Sequence, residues 1–140
     1  MLLCYLRSAR SDDVLRQSAG LCAESGATLS VVMPIIDATV RDGCCGIQGE
    51  QWRRIMDADS REAMRQAVRL LVSLGCPPAS ATIEVRPSVA EVAQRAAERC
   101  ACDVVAVGGK RHPWSSGGLS RRQLDKLRQA SQSEVVALVP

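Results

Sequence analysis

Asp103-Val-Val-Ala-Val-Gly-Gly109 opens the last third of the chain, and Glu134-Val-Val-Ala-Leu-Val-Pro140 closes it. Between them lie a basic, glycine-bracketed loop from Lys110 to Ser120 and a short amphipathic run that begins Arg121-Arg122. Apolar run, glycine turn, helix start and second apolar run is the order in which parallel α/β proteins present backbone N–H groups to an anion.

The same alternation extends upstream. Leu2-Leu-Cys-Tyr-Leu6 is an apolar run suited to a strand buried on both faces. Ser11 offers a helix N-cap, with Asp12 and Asp13 at the positive end of the dipole. Leu15, Ala19, Cys22 and Ala23 form the inward face of that helix, and Gly26 ends it. Thr28 to Ile36 reads as a second strand, and Asp37 to Gly49 as a long loop. From about Glu50 to Leu74, Trp52, Met56, Ala63, Ala67, Leu70, Leu71 and Leu74 recur at helical spacing, with Asp57 placed to pair with Arg61. Ala81 to Pro87 alternates Ile83 and Val85 with Thr82, Glu84 and Arg86, the pattern of an edge strand. Ser88 and Glu91 form a capping box ahead of Val89, Val92, Ala93, Ala96 and Cys100. Strands and helices alternate five to four without interruption, which predicts an open five-stranded parallel sheet with helices on both faces.

Composition sets bounds on function. At 140 residues the chain is expected to form one domain, 1–140. It is 46% apolar and 24% charged, ordinary for a globular protein. Phe is absent and there are only 2 Trp and 1 Tyr, which argues against base stacking on single-stranded nucleic acid. A net charge of +3 is too small to imply a DNA-binding face. No run approaches ~18 apolar residues and no signal-peptide core is present, so neither membrane insertion nor secretion is expected. The seven cysteines do not suggest a disulfide framework: Cys4, Cys22 and Cys100 fall on apolar faces, and no C-x-x-C occurs. A cytoplasmic, reduced protein is the expectation.

Ligands of open parallel sheets bind beyond the carboxyl ends of the strands, where strand order reverses. With order 3-2-1-4-5 that point lies between strands 1 and 4. Arg7 and Ser8 follow strand 1; Gly108, Gly109, Lys110, Gly117, Gly118 and Ser120 follow strand 4. Arg121 and Arg122 occupy the first turn of the last helix, where cations oppose the dipole, an arrangement that suits a bound anion. These ten residues form the candidate nucleotide or anion site. A solvated basic surface is the plainer reading of the same charges. Catalysis has no visible constellation. His112 is the only histidine, Ser115 and Ser116 lack a base, and no G-x-S-x-G elbow occurs. Gly109-Lys110 has no glycine at Val104 to complete a phosphate loop. Cys44-Cys45 reads as incidental thiols in a glycine-rich loop.

The chain resembles the universal stress protein family across essentially its whole length. Ala101-Cys-Asp-Val-Val-Ala-Val-Gly-Gly109 is similar to the family's A-D-L-I-V-M-G-S strand, and Gly117-Gly-Leu-Ser-Arg121 to its S-G-L-S-R stretch. The ending from Leu127 to Val139 is similar as well. The resemblance implies a Rossmann-like sheet of order 3-2-1-4-5. ATP-binding members carry an Asp after strand 1 and a G-x2-G-x9-G-[S/T] motif after strand 4. Here Leu6-Arg7-Ser8 has no Asp, and Arg111 with Arg121, or His112 with Arg122, stand at the later glycine positions. The ATP motif is therefore degenerate, and a standard ATP site is not expected.

Val135, Val136, Ala137, Leu138 and Val139 lack the charges that protect an edge strand, which predicts pairing with a second copy. The family resemblance implies a homodimer at the same strand. The leading expectation is a non-enzymatic stress-response or regulatory protein with a modified site for ATP, AMP or another phosphate-bearing anion. The alternatives are a protein-interaction module with a decayed pocket, serving a transporter or sensor, and a weak nucleotide hydrolase.

Overall fold

The computed structural model describes residues 1–7, 11–36, 47–109 and 118–139. Five strands alternate with four helices: β1 (Leu2–Cys4), α1 (Ser11–Ser25), β2 (Ser30–Ile36), α2 (Ile47–Ser73), β3 (Ser80–Arg86), α3 (Val89–Arg99), β4 (Val104–Gly108), α4 (Arg121–Ala130) and β5 (Glu134–Leu138). The strands form one sheet of order β3-β2-β1-β4-β5, and every pairing is parallel. The expected architecture is observed.

Period-two alternation sorts the strand residues between two cores. Leu3, Val31, Met33, Ala106 and Leu138 face α1 and α2, where Leu15, Ala19, Met64, Ala67 and Leu71 close the layer. Leu2, Cys4, Val32, Val105, Val107 and Val135 face α3 and α4, against Val92, Ala93, Ala96, Leu124 and Leu127. With no Phe in the chain, both layers are built mostly of aliphatic and Ala side chains, with Tyr5, Met33, Met64 and Cys22 in the first and Cys4 in the second. Each fully buried Leu or Val contributes about 1.5–3 kcal/mol relative to exposure.

Several helix details depart from the periodic reading. α1 turns Val14 and Ser18 inward with Leu15, Ala19 and Cys22, whereas Ala23 is exposed. Ser18 is tolerated there because its hydroxyl donates to the Val14 carbonyl at 2.8 Å. Helix α1 already includes Ser11. α2 starts at Ile47 rather than Glu50, so Ile47 to Gly49 is helical, not loop. Its inward line is Ser60, Met64, Ala67 and Leu71, while Leu74, expected inside, is 41% exposed beyond the helix end. The Asp57–Arg61 pair forms at 2.7 Å. Ser88 caps α3 by accepting from the Glu91 N–H at 3.2 Å, and the Glu91 carboxylate lies 3.7 Å from Arg95.

The edge strand β3 is covered more on its polar side than its alternation suggests. Val85 is exposed, whereas Glu84 forms an ion pair with Arg99 of α3, and Arg99 also donates to the Thr82 hydroxyl at 3.1 Å. One guanidinium thus ties the outermost strand to the helix that follows it.

Candidate functional site

The order of the sheet reverses between the central strand β1 and its neighbour β4, which run in parallel with Cys4 opposite Val107. Arg7, Gly108 and Gly109 therefore leave the sheet at one end, and α4 begins at that same end.

The glycines there are engaged by the protein's own backbone. Gly109 N–H donates to the Leu138 carbonyl at 2.8 Å, and Leu119 N–H donates to the Gly108 carbonyl at 2.7 Å, so the returning chain is stitched to the strand exit. Gly118 holds φ +77, and a Cβ added there would lie 2.8 Å from Gly109 C and 2.9 Å from the carbonyl oxygens of Gly108 and Gly109. At Gly109 a Cβ would come 3.4 Å from the Ala137 Cβ. At Gly108 it would come 3.5 Å from Val14 Cγ2, so α1 leans over the strand exit. Gly118 is thus glycine because loop and strand backbones touch. The space beside the Gly118 Cα is taken by the exit of β4.

Ser120 caps α4 through a reciprocal pair with Gln123. Its hydroxyl accepts from the Gln123 N–H at 3.4 Å, while its own N–H donates to Gln123 Oε1 at 2.9 Å, a full capping box. Two of the donors at this helix start are therefore satisfied internally. The N–H groups of Arg121 and Arg122 have no partner within the helix, as in any first turn. Both side chains are exposed, and neither is in an ion pair among the described residues. Two guanidinium groups and two first-turn N–H groups at the positive end of a helix dipole make a surface suited to a multiply charged oxyanion.

Of the ten candidate residues, the structure brings Gly108, Gly109, Gly118 and Ser120 together and sets Arg121 and Arg122 directly after them. Arg7 also lies at the carboxyl edge, but its guanidinium is 3.6 Å from Asp59 of α2 in a half-exposed pair. Such a pair contributes roughly 0–1 kcal/mol, so it leaves Arg7 easily recruited. Ser8, Lys110 and Gly117 lie outside the described residues, as do Arg111, His112, Cys44 and Cys45. Among the described residues, no group of three or more His, Cys, Asp or Glu side chains is placed to hold a metal ion. No described helix is long and apolar enough to cross a membrane.

Sequence reasoning passed over three residues of this region. Gln123 stands three positions after Ser120, the spacing of a capping box, and could have been read. Val14 could not be placed over Gly108 without the packing of α1. Gln17 of α1 donates to the Val139 carbonyl at 3.2 Å, tying the chain end to the same rim.

No family model matches the chain, and no curated protein matches it by sequence. Solved structures do match it by fold. A protein of the universal stress protein family from Burkholderia pseudomallei aligns over 98% of this chain and 94% of its own, with TM-score 0.70 and 16% identity. A universal stress protein solved in complex with cAMP aligns over 98% of this chain and 94% of its own, at TM-score 0.65 and 13% identity. The universal stress protein from Archaeoglobus fulgidus in complex with dAMP covers 97% of this chain and 93% of its own, at TM-score 0.62 and 16% identity. The chain shares the fold of these proteins over nearly its entire length.

Proposed function

We propose that this chain is a non-enzymatic stress-response or regulatory protein of the universal stress protein type. It takes a phosphate-bearing anion at the carboxyl ends of β1 and β4 and changes its binding to a partner protein when that site fills. The carrying observation is the start of α4, where Arg121 and Arg122, both exposed, occupy the first turn of the helix. Proteins of the same fold solved with cAMP and dAMP support a nucleotide as the anion. The ligand would be held by its phosphate, because the family's Asp after β1 and its later glycines are absent here. A cytoplasmic location is part of this reading.

Calorimetric titration with ATP, AMP and inorganic phosphate tests it. Saturable binding is expected for at least one of them. Arg121→Glu or Arg122→Glu should weaken it roughly tenfold, and added salt should weaken it further. Phosphate release from ATP should stay at the rate of buffer alone. Absence of binding by all three anions, or a charge reversal without effect, would overturn the site.

The close packing of Gly118 on Gly108 and Gly109 favours a second reading, an interaction module whose nucleotide pocket has been filled by its own loop. Capture of a partner that is indifferent both to ATP and to Arg121→Glu would support that reading over the first.

A homodimer through β5 belongs to either reading. β5 lies at the sheet edge; Val135 and Leu138 are committed to their own core, Val136 and Ala137 are half-buried, and Val139 is 47% exposed. Pairing would therefore proceed through the free backbone edge and the exposed Val139 rather than through all five side chains. Sedimentation at micromolar concentration should give a dimer that Val139→Lys weakens, and a monomer in the unmodified chain would exclude it.

A further inference from the structure

Two thiols meet at the amino-terminal edge of the sheet, opposite the anion site. Cys22 lies near the end of α1 and is 4% exposed. Cys76 follows α2, where Gly75 at φ +73 reverses the chain and Cys76 N–H donates to the Leu71 carbonyl at 2.9 Å. That turn packs the half-buried Cys76 against the core cluster that contains Cys22 and Leu71, with the Cys76 thiol near enough to Cys22 to act on its charge. Both are free. The remaining described cysteines sit elsewhere: Cys4 is buried within β1 on the opposite face of the sheet. Cys100 lies 3.8 Å from the Ser80 hydroxyl, and Cys102 donates to the Cys100 carbonyl at 3.7 Å.

We infer that Cys22 and Cys76 are a redox pair that closes to a reversible disulfide when a hydroperoxide reaches Cys76 at the surface. Cys76 sulfur attacks one peroxide oxygen and the O–O bond breaks. This leaves a sulfenic acid on Cys76 and releases the second oxygen as water, with the thiol proton. Cys22 sulfur then attacks Cys76 sulfur. The S–S bond forms, the S–O bond breaks, and hydroxide leaves as water with the Cys22 proton. Two thiols are oxidised by two electrons in total, and one hydrogen peroxide is reduced to two waters.

The order of events follows from burial. Desolvation, with Cys76 alongside, pushes the Cys22 thiol up to about 11, so Cys22 is the poorer first nucleophile and serves as the resolving sulfur. The bond would staple the end of α1 to the segment entering β3. In a reducing compartment it would form only transiently.

The experiment treats the folded full-length protein with hydrogen peroxide, blocks remaining thiols by alkylation, digests without reduction and identifies linked peptides by mass spectrometry. The Cys22–Cys76 link is expected to exceed any other pairing that involves either cysteine by roughly tenfold, because disulfide geometry is selective. It should vanish on adding dithiothreitol and lose its preference when oxidation is done in urea. Cys76→Ala, at a half-buried position, should abolish it, whereas Cys44→Ala should leave it in place. A Cys22–Cys76 link no more abundant in folded protein than in urea would overturn the proposal. So would peroxide-treated protein in which Cys22 stays alkylatable while Cys76 passes to the sulfinic acid.

Discussion

Gly118→Ala is expected to destabilise the protein by roughly 3 kcal/mol, and Gly118→Val by more. Two costs combine at this position. The left-handed backbone, φ +77, disfavours any L side chain by roughly 1–2 kcal/mol, most of all a β-branched one. A Cβ would also sit within 2.9 Å of three backbone atoms of Gly108 and Gly109, which belong to the exit of a central strand and cannot swing aside like a side-chain tip. Relief requires the loop to lift, breaking the 2.7 Å bond from Leu119 N–H to the Gly108 carbonyl. Such overpacking costs typically 1–3 kcal/mol. Gly26 supplies the control: its φ is +66, yet nothing lies within 4 Å of its Cβ position. Gly26→Ala should lose only the backbone part, about 1 kcal/mol. Urea unfolding of the two alanine variants against the parent measures the difference, and equal losses would show that the contact between loop and strand is not rigid. The same geometry explains why Gly118 variants cannot report on ligand binding: they move the start of α4 together with Arg121 and Arg122.

Alkaline pH is expected to unfold the protein through its buried thiols. Cys4 lies fully buried in β1 with its neighbours from β2 and β4 on either side, and loss of water pushes its thiol from about 9 to about 12, with Glu84 adding to the same direction. The unfolded chain releases this proton as pH passes about 9, whereas the folded chain keeps it until about 12. Between those values the unfolded state binds fewer protons, so stability falls as pH rises. Below pH 9 the contribution is fully present. At the upper end the loss from Cys4 alone approaches about 4 kcal/mol, and Cys22 adds to it in the same direction. Urea midpoints measured from pH 8 to about 11 should therefore hold up to about pH 9 and decline above it. Cys4→Ala should be less stable at neutral pH by about 1 kcal/mol, from lost packing, yet decline more shallowly. Parallel declines for both proteins would remove Cys4 as the cause.

Much of the fold was legible along the chain. The runs at Leu2, Ser30, Val104 and Glu134 are apolar because parallel strands between helical layers are covered on both faces, so continuous hydrophobicity marks them wherever they pair. Gly26 and Gly75 marked where α1 and α2 end. Helix phase was less accessible. Ala23 and Leu74 have the right spacing to face inward, yet both are exposed, and Leu74 lies beyond the end of its helix, where the spacing no longer sets its direction. Val14 points inward over the exit of β4, where its Cγ2 lies against the backbone of Gly108.

The candidate site divides along the same line. Its location followed from strand order and from the start of α4, and both are properties of local pattern and of the order of elements. Its chemistry depended on contacts between residues distant along the chain: Arg7 with Asp59, Gly118 with Gly108 and Gly109, Gln17 with the Val139 carbonyl. A glycine needed for a ligand and a glycine needed for a neighbouring backbone are the same letter in the sequence. Only the packing around Gly118 shows that a neighbouring backbone requires glycine there. The alternation of apolar runs and capped helices specified the sheet, because periodicity alone determines which faces must be buried. Packing then assigned Gly118 to the frame, because close approach is a property of two segments and neither records it alone.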